Sequence, residues 1–432
     1  MRWNKLLTPG RMIAVGFASL ILLGTLFLAL PISHREGESL SLIDALFTAT
    51  SAVCITGLSV IQCNAVLSEF GQGVLLLLIQ IGGMGITTLG VGIILLTGKK
   101  IGIRERSLIK ESLNQSSFQG ILRLLKILFF VTFGFELLGA VLAFPIFVQD
   151  YSVGHAIWLS VFHSVSAFNN AGFDLLGADS LMQYQDHVPM LLLTSGLTIC
   201  GGLGFFVMWN IVQKRRFHRF SLHTKVVLTM TGLLLLCGTL LLHATQDNLN
   251  WVQAFFYSTV TRTSGFSAFS LGDFSNAALL VMVLLMFVGA APGSTGGGIK
   301  VTTLFVCIWS AIGYTRNRHP TIFRRRISQE VRDKAFMIFL LGLSVILAST
   351  LLLCIFEPDV PFIHILMETT SAFATVGLSC GLTPELCGWS KLVIIITMYI
   401  GRLGPLTVAT LWMMQGRNNN EVLRPEETIS VG

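Results

Sequence analysis

Long apolar stretches alternate with shorter ones along this chain, and polar loops separate them in a repeating order. The long stretches cover residues 12–32, 74–97, 121–147, 190–212, 226–242, 336–356 and 392–414. Each is near the ~20 residues that a membrane-crossing helix needs. Residues 277–313 are too long for one crossing and carry glycines in their middle. The short stretches cover 42–53, 156–168, 251–261 and 362–373. Runs of about 10–14 apolar residues fit re-entrant helices rather than crossings. The order long, short, long recurs four times. It predicts an all-α integral membrane protein of four repeated helix–pore-loop–helix units around a central pore. The units divide at 1–98, 99–213, 214–315 and 316–432. The third holds a broken second helix with an intramembrane loop at 289–298, and the fourth ends in a cytoplasmic tail.

Composition agrees with the pattern. The 432 residues are 53% hydrophobic and 12% charged, against about 25% charged in soluble globular domains. Basic residues gather in the N-terminus, at 99–126, 214–225 and 316–334, and in the tail with Arg417 and Arg424. Short loops rich in Lys and Arg stay cytoplasmic. Four down-up pairs of helices put all five basic segments on one side, so both termini are expected inside. Acidic residues fill the opposite loops, where Arg35 and Lys391 are the exceptions. The net charge of +7 is therefore an average over two unlike faces. Loop topology accounts for the basic tracts, and nucleic-acid binding is not expected. The first apolar run follows Arg2, Lys5 and Arg11 but is longer than a signal-peptide h-region. It reads as a retained helix.

Each short stretch ends in a run of small, hydroxyl-bearing residues closed by a glycine: TSAVCITGL, VSAFNNAGF, TVTRTSGF and TSAFATVGL. Aligned on Gly57, Gly172, Gly265 and Gly377, they share a hydroxyl six residues earlier, at Ser51, Ser166, Thr259 and Ser371. The glycines are roughly 115, 93 and 112 residues apart, a period of one supersecondary unit. Non-helical backbone survives at membrane depth only where protein covers it or water lines it. Four such turns around one axis meet that condition together. Each short helix then aims its negative C-terminal dipole at the axis, and the carbonyls beyond it replace the water shell of a cation. The expected filter is Ile55, Thr56 and Gly57; Asn170, Ala171 and Gly172; Thr263, Ser264 and Gly265; Thr375, Val376 and Gly377, with K+ held by their backbone.

These four motifs resemble the filter sequences of the K+ transporter superfamily that includes the Ktr, Trk and plant HKT proteins. The resemblance covers essentially the whole chain and is nearest to the membrane subunits of Ktr potassium uptake systems. It implies K+ uptake, a homodimer, and a cytoplasmic ring of KtrA-like nucleotide-binding regulatory subunits. The chain carries no nucleotide-binding domain and no organic cofactor is expected. Na+ transport by the same architecture is the alternative. In the plant proteins a serine at the first filter glycine goes with Na+, so glycine at all four positions favours K+.

Residues 289–300 read GAAPGSTGGGIK. Ile299 separates Gly298 from Lys300, so the run fails the phosphate-loop pattern. A Gly-rich break inside the membrane must line a cavity or be covered. Gly293, Ser294, Thr295, Gly296, Gly297 and Gly298 read as a loop that plugs the pore below the filter, and the resemblance implies a gate there. Arg402 lies inside the last apolar run, where a charge by default marks function. The resemblance places it near the gate as a barrier to cations. Lys300 adds to that barrier or lies near the cytoplasmic end of its half-helix.

Arg262 is expected to point behind the third filter and bond to backbone carbonyls or an acid, with Glu368 a possible partner. Glu136 needs an internal hydrogen bond, and Asn169 and Asn170 either offer amides to the filter or pack. Four of the eight cysteines sit in apolar runs, while Cys380 and Cys387 lie outside with their pairing open. The nine histidines are scattered and no His-Glu-x-x-His motif occurs, so an enzyme is not expected.

Overall fold

The computed structural model of the chain describes residues 9–85, 121–177, 180–316, 321–323 and 325–410. The basic segment at 99–120, Arg2, Lys5, Arg417 and Arg424 lie outside the described residues.

The described chain is helical apart from a two-residue antiparallel ladder, Thr321–Ile322 with Arg325–Arg326. The elements recur in one order. A long helix comes first each time: α1 (Pro9–Leu28), α5 (Ile121–Phe147), α9 (Leu222–Thr245) and α13 (Gln329–Phe356). These four are long and apolar enough to cross a membrane. A short helix follows: α2 (Leu42–Cys54), α6 (Val153–Asn169), α10 (Trp251–Val260) and α14 (Phe362–Ala374). Loop side chains cap two of these helices. Ser41 Oγ accepts from Asp44 N at 3.2 Å, and Asn250 and Gln253 form a capping box. One turn, α3 (Cys63–Val66), lies in the first outer loop.

The second long element of each unit is α4 (Glu69–Met84), α7 (Val188–Leu203), α11 (Asn276–Phe287) and α15 (Gly388–Leu403). Only the third was expected to break, yet each ends early. Gly85, Gly204 and Gly404 share one backbone conformation, φ +80° to +87° with ψ near +136° to +139°. Glycine is the residue that takes it without a Cβ penalty. At Gly204 the chain bends by 93° into α8 (Phe205–Lys214). Beyond Gly404 runs α16 (Pro405–Thr410), and α12 (Val301–Thr315) follows the break after α11. Hydropathy averages over such bends, so 190–212 and 392–414 each look like one straight span.

The short helices form the centre and are nearly fully buried in their last two turns. The fourth unit closes against the first through Tyr399, whose hydroxyl donates to Ala14 O at 2.7 Å, and through the Lys391–Asp44 ion pair at 2.7 Å. Trp158 Nε1 donates to Gln72 Oε1 at 2.9 Å between the first and second. On one face Lys225 lies over the rings of Phe217 and Phe323, which joins two of the basic loops.

Candidate functional site

The turn before each of the four glycines is built by the end of the short helix. In three units the residue two before the glycine is left-handed: Ile55 at φ +58°, Asn170 at +59° and Thr375 at +52°. The next residue donates back five positions: Thr56 N to Ser51 O at 2.8 Å, Ala171 N to Ser166 O at 2.8 Å, and Val376 N to Ser371 O at 2.9 Å. This is a Schellman closure. The closing bond uses the backbone carbonyl of Ser51, Ser166 and Ser371, which any residue supplies, and the Ser51 and Ser166 hydroxyls have no hydrogen-bond partner. Ser371 Oγ also accepts from Gly377 N at 3.0 Å. A β-branched residue in this conformation costs about 1–3 kcal/mol and persists only where surroundings over-determine it.

The third turn differs. Thr261 stays right-handed, and Val260 O accepts from Thr263 N, Ser264 N and Gly265 N at 2.9–3.3 Å.

The four glycines meet in a closed ring, in chain order. A Cβ added at Gly57 would collide with Ala171 O, at Gly172 with Ser264 O, at Gly265 with Val376 O, and at Gly377 with Thr56 O. All four have positive φ. Each carbonyl thus abuts the neighbouring glycine, and the ring has no room for a side chain. Among the described residues, no group of three or more His, Cys, Asp or Glu is placed to hold a metal. The atoms that close the ring are backbone carbonyl oxygens.

Below the ring lies the loop between α11 and α12. Gly289 N donates to Ile299 O at 2.9 Å, and Ser294 Oγ to Ala291 O at 2.6 Å. Three backbone bonds tie the loop to the second unit at its bend: Ala291 N to Gly202 O at 3.0 Å, Thr295 N to Gly201 O at 3.4 Å, and Phe205 N to Gly293 O at 3.1 Å. It also touches the other turns. Gly297 N donates to Thr375 Oγ1 at 3.0 Å, and a Cβ at Gly296 would collide with Thr263. Oriented to satisfy both ends, the Asn170 amide donates to Thr198 O and Ala167 O and accepts from Thr263 and Thr295 hydroxyls, at 3.1–3.2 Å. Asn170 thus joins the second turn to the loop.

Arg402 bridges Thr295 O of the loop and Gly82 O of α4. Its guanidinium also lies 6.0 Å from the Phe17 ring centroid. Lys300 folds back on the loop, donating to Gly296 O at 2.6 Å. It stands immediately before α12, at the loop end of that half-helix. Sequence reasoning missed Gly82, Gly201, Gly202 and Gly204. Their only signal was glycine density at the ends of apolar runs.

Three other questions from the sequence are answered. Arg262 and Glu368 do not pair. Glu368 Oε1 accepts from Thr383 Oγ1 at 2.5 Å, and Arg262 Nε is buried without a partner. Cys380 and Cys387 are free thiols, with Cys380 Sγ 3.4 Å from Met367 Sδ and Cys387 Sγ 3.3 Å from Ser390 Oγ. Glu136 has the internal bonds it needs, from Gln80 Nε2 at 3.2 Å and Asn169 Nδ2 at 2.9 Å. Asn169 therefore turns away from the ring.

One enzyme-like pattern occurs: Gly377–Gly381 reads Gly-x-Ser-x-Gly. A nucleophile elbow requires a strand before the serine and a helix after it. Here a helix ends before Gly377, and Ser379 Oγ accepts from Thr383 N at 3.5 Å in the mouth of the ring.

Above the ring is a cavity of about 480 Å³, lined by all four glycines and by the segments that follow them. Asp174 is the charged residue among its described lining.

The family model for TrkH, described as cation transport protein, matches residues 12–421. The Ktr system potassium uptake protein B of Bacillus subtilis (strain 168) is 40% identical over 94% of this chain and 93% of its own. The potassium/sodium uptake protein NtpJ of Enterococcus hirae is 38% identical over 100% of this chain and 99% of its own. The crystal structure of the potassium transporter TrkH from Vibrio parahaemolyticus superposes with a TM-score of 0.75 at 20% identity, covering 96% of this chain and 86% of that one.

Proposed function

This chain belongs to the TrkH family of cation transport proteins, and from that premise we propose that it takes up K+ across the plasma membrane through the ring of Gly57, Gly172, Gly265 and Gly377. One observation carries the reading: four separate turns bring one carbonyl each, of Thr56, Ala171, Ser264 and Val376, into a closed ring that admits no side chain. Such carbonyls substitute for the water around a cation. An inside-negative potential drives the ion inward by about 2.3 kcal/mol per 100 mV. Both termini lie in the cytoplasm in this reading, with the basic loops.

The loop at 289–298 is the gate, and the four units of 1–98, 99–213, 214–315 and 316–432 are the walls. Its contacts with the second, third and fourth turns, and the Arg402 bridge to the first unit, support this. Removing residues 293–298 is expected to raise ion flux several-fold in a correctly inserted protein. Unchanged or lower flux would sink the gate.

Naming of relatives as parts of a Ktr system supports a partner subunit. We place it on the cytoplasmic face as a nucleotide-binding ring, with the membrane subunit a homodimer. Na+ is the second reading, favoured by the 38% identical relative named for both ions. Uptake of K+ against Na+ into proteoliposomes made from this chain separates the two. Preference for Na+ would overturn the K+ reading, and no flux of either would overturn transport by this chain alone.

A further inference from the structure

We propose that Asp174 is an affinity-determining residue for the transported cation, holding it in the outer mouth before it reaches the glycine ring. This rests on the transport reading above. Asp174 follows Gly172 by two positions. It lines the same cavity as all four ring glycines, and no other residue of the described lining carries a charge. Every ion that reaches the ring from that side passes this cavity.

The carboxylate is fixed rather than swinging free. Oδ1 accepts from Leu176 N at 3.0 Å, and Oδ2 accepts from Ser180 Oγ at 2.5 Å. Each oxygen keeps further lone-pair capacity, since an ionised carboxylate offers about four acceptor sites.

No described basic side chain pairs with it. The one described ion pair joins Lys391 to Asp44. Burial pushes the Asp174 carboxyl above its ordinary value, with the Ser180 and Leu176 bonds pulling the other way. Its titratable neighbour Cys63 is pushed up to about 12, chiefly by burial, and stays a neutral thiol. A partly buried carboxylate without a counter-charge is costly. The arriving cation is the counter-charge this cavity lacks. Low-dielectric walls focus the field of such a group and raise the local concentration of cations.

Initial rates of K+ uptake into proteoliposomes at low ionic strength test this. D174N is expected to raise the K+ concentration for half-maximal uptake by about tenfold, with the maximal rate and the K+/Na+ ratio kept. D174E is expected to restore most of the affinity. S180A frees one carboxylate oxygen and keeps the charge, and is expected to raise the half-saturating concentration by clearly less than D174N does. Half-saturation unchanged in D174N overturns the proposal. Equal defects in D174N and S180A overturn it too, because they show a role in holding the loop only. A poorly folded D174N leaves the decision to D174E and S180A in the same assay. If the wild-type protein takes up no K+, the transport reading fails instead.

Discussion

Gly57→Ser is expected to lower the preference for K+ over Na+ by about tenfold or more, a difference of roughly 1.4 kcal/mol or more between the two ions. Two effects act together. Position 57 has φ +87°, a conformation that costs a non-glycine residue about 1–3 kcal/mol. Its Cβ would also collide with Ala171 O. That carbonyl belongs to the next wall, so the first and second turns must move apart. A ring opened on one side no longer holds four oxygens at the distance that replaces the water of K+. Gly37 separates strain from collision. It has the same φ of +87° and nothing within 4 Å of an added Cβ. Gly37→Ala is therefore expected to keep wild-type selectivity and lose only a little stability. Competitive K+ and Na+ uptake by the two variants is the measurement. Wild-type selectivity in Gly57→Ser would remove Gly57 from the filter.

Arg402→Ala is expected to raise resting flux by about tenfold or more. The side chain ties the loop at 289–298 to α4 through two carbonyls, Thr295 O and Gly82 O. Hydrogen bonds to a charged group contribute about 1.5–3 kcal/mol each. Losing even one shifts a closed-to-open equilibrium by roughly tenfold or more. The substitution also removes a positive charge from beside the loop. Arg402→Lys distinguishes latch from barrier, because a lysine keeps the charge and loses the planar fork that spans two acceptors. Flux near wild type in the Lys variant would assign the effect to charge. Flux near that of Ala would assign it to the bridge. Wild-type flux in the Ala variant would remove Arg402 from gating.

Much of the framework was legible in the sequence because membrane burial imposes strong patterns. Runs of about 20 and about 12 apolar residues obey different length rules, so α1, α5, α9 and α13 separate from α2, α6, α10 and α14. The ring glycines were legible because the same constraint acts four times. The breaks at Gly204 and Gly404 were not. A bent helix and a straight one bury the same apolar residues, so hydropathy cannot tell them apart. Arg262 and Glu368 invited pairing by charge alone. The structure leaves them apart, with Glu368 Oε1 bonded to Thr383 and Arg262 Nε without a partner.

By itself the sequence determined the membrane class, the fourfold order and the four glycines, since solvent and backbone sterics act on each segment alone. Only the tertiary structure decided who meets whom. Gly57 faces Ala171, 114 positions away, because two turns share one axis. Thr295 meets Asn170, Gly201 and Arg402 because the break in the third unit lies against the bend of the second and the last long helix of the fourth. Such contacts are set by the packing of whole units, and no local pattern in the chain encodes them.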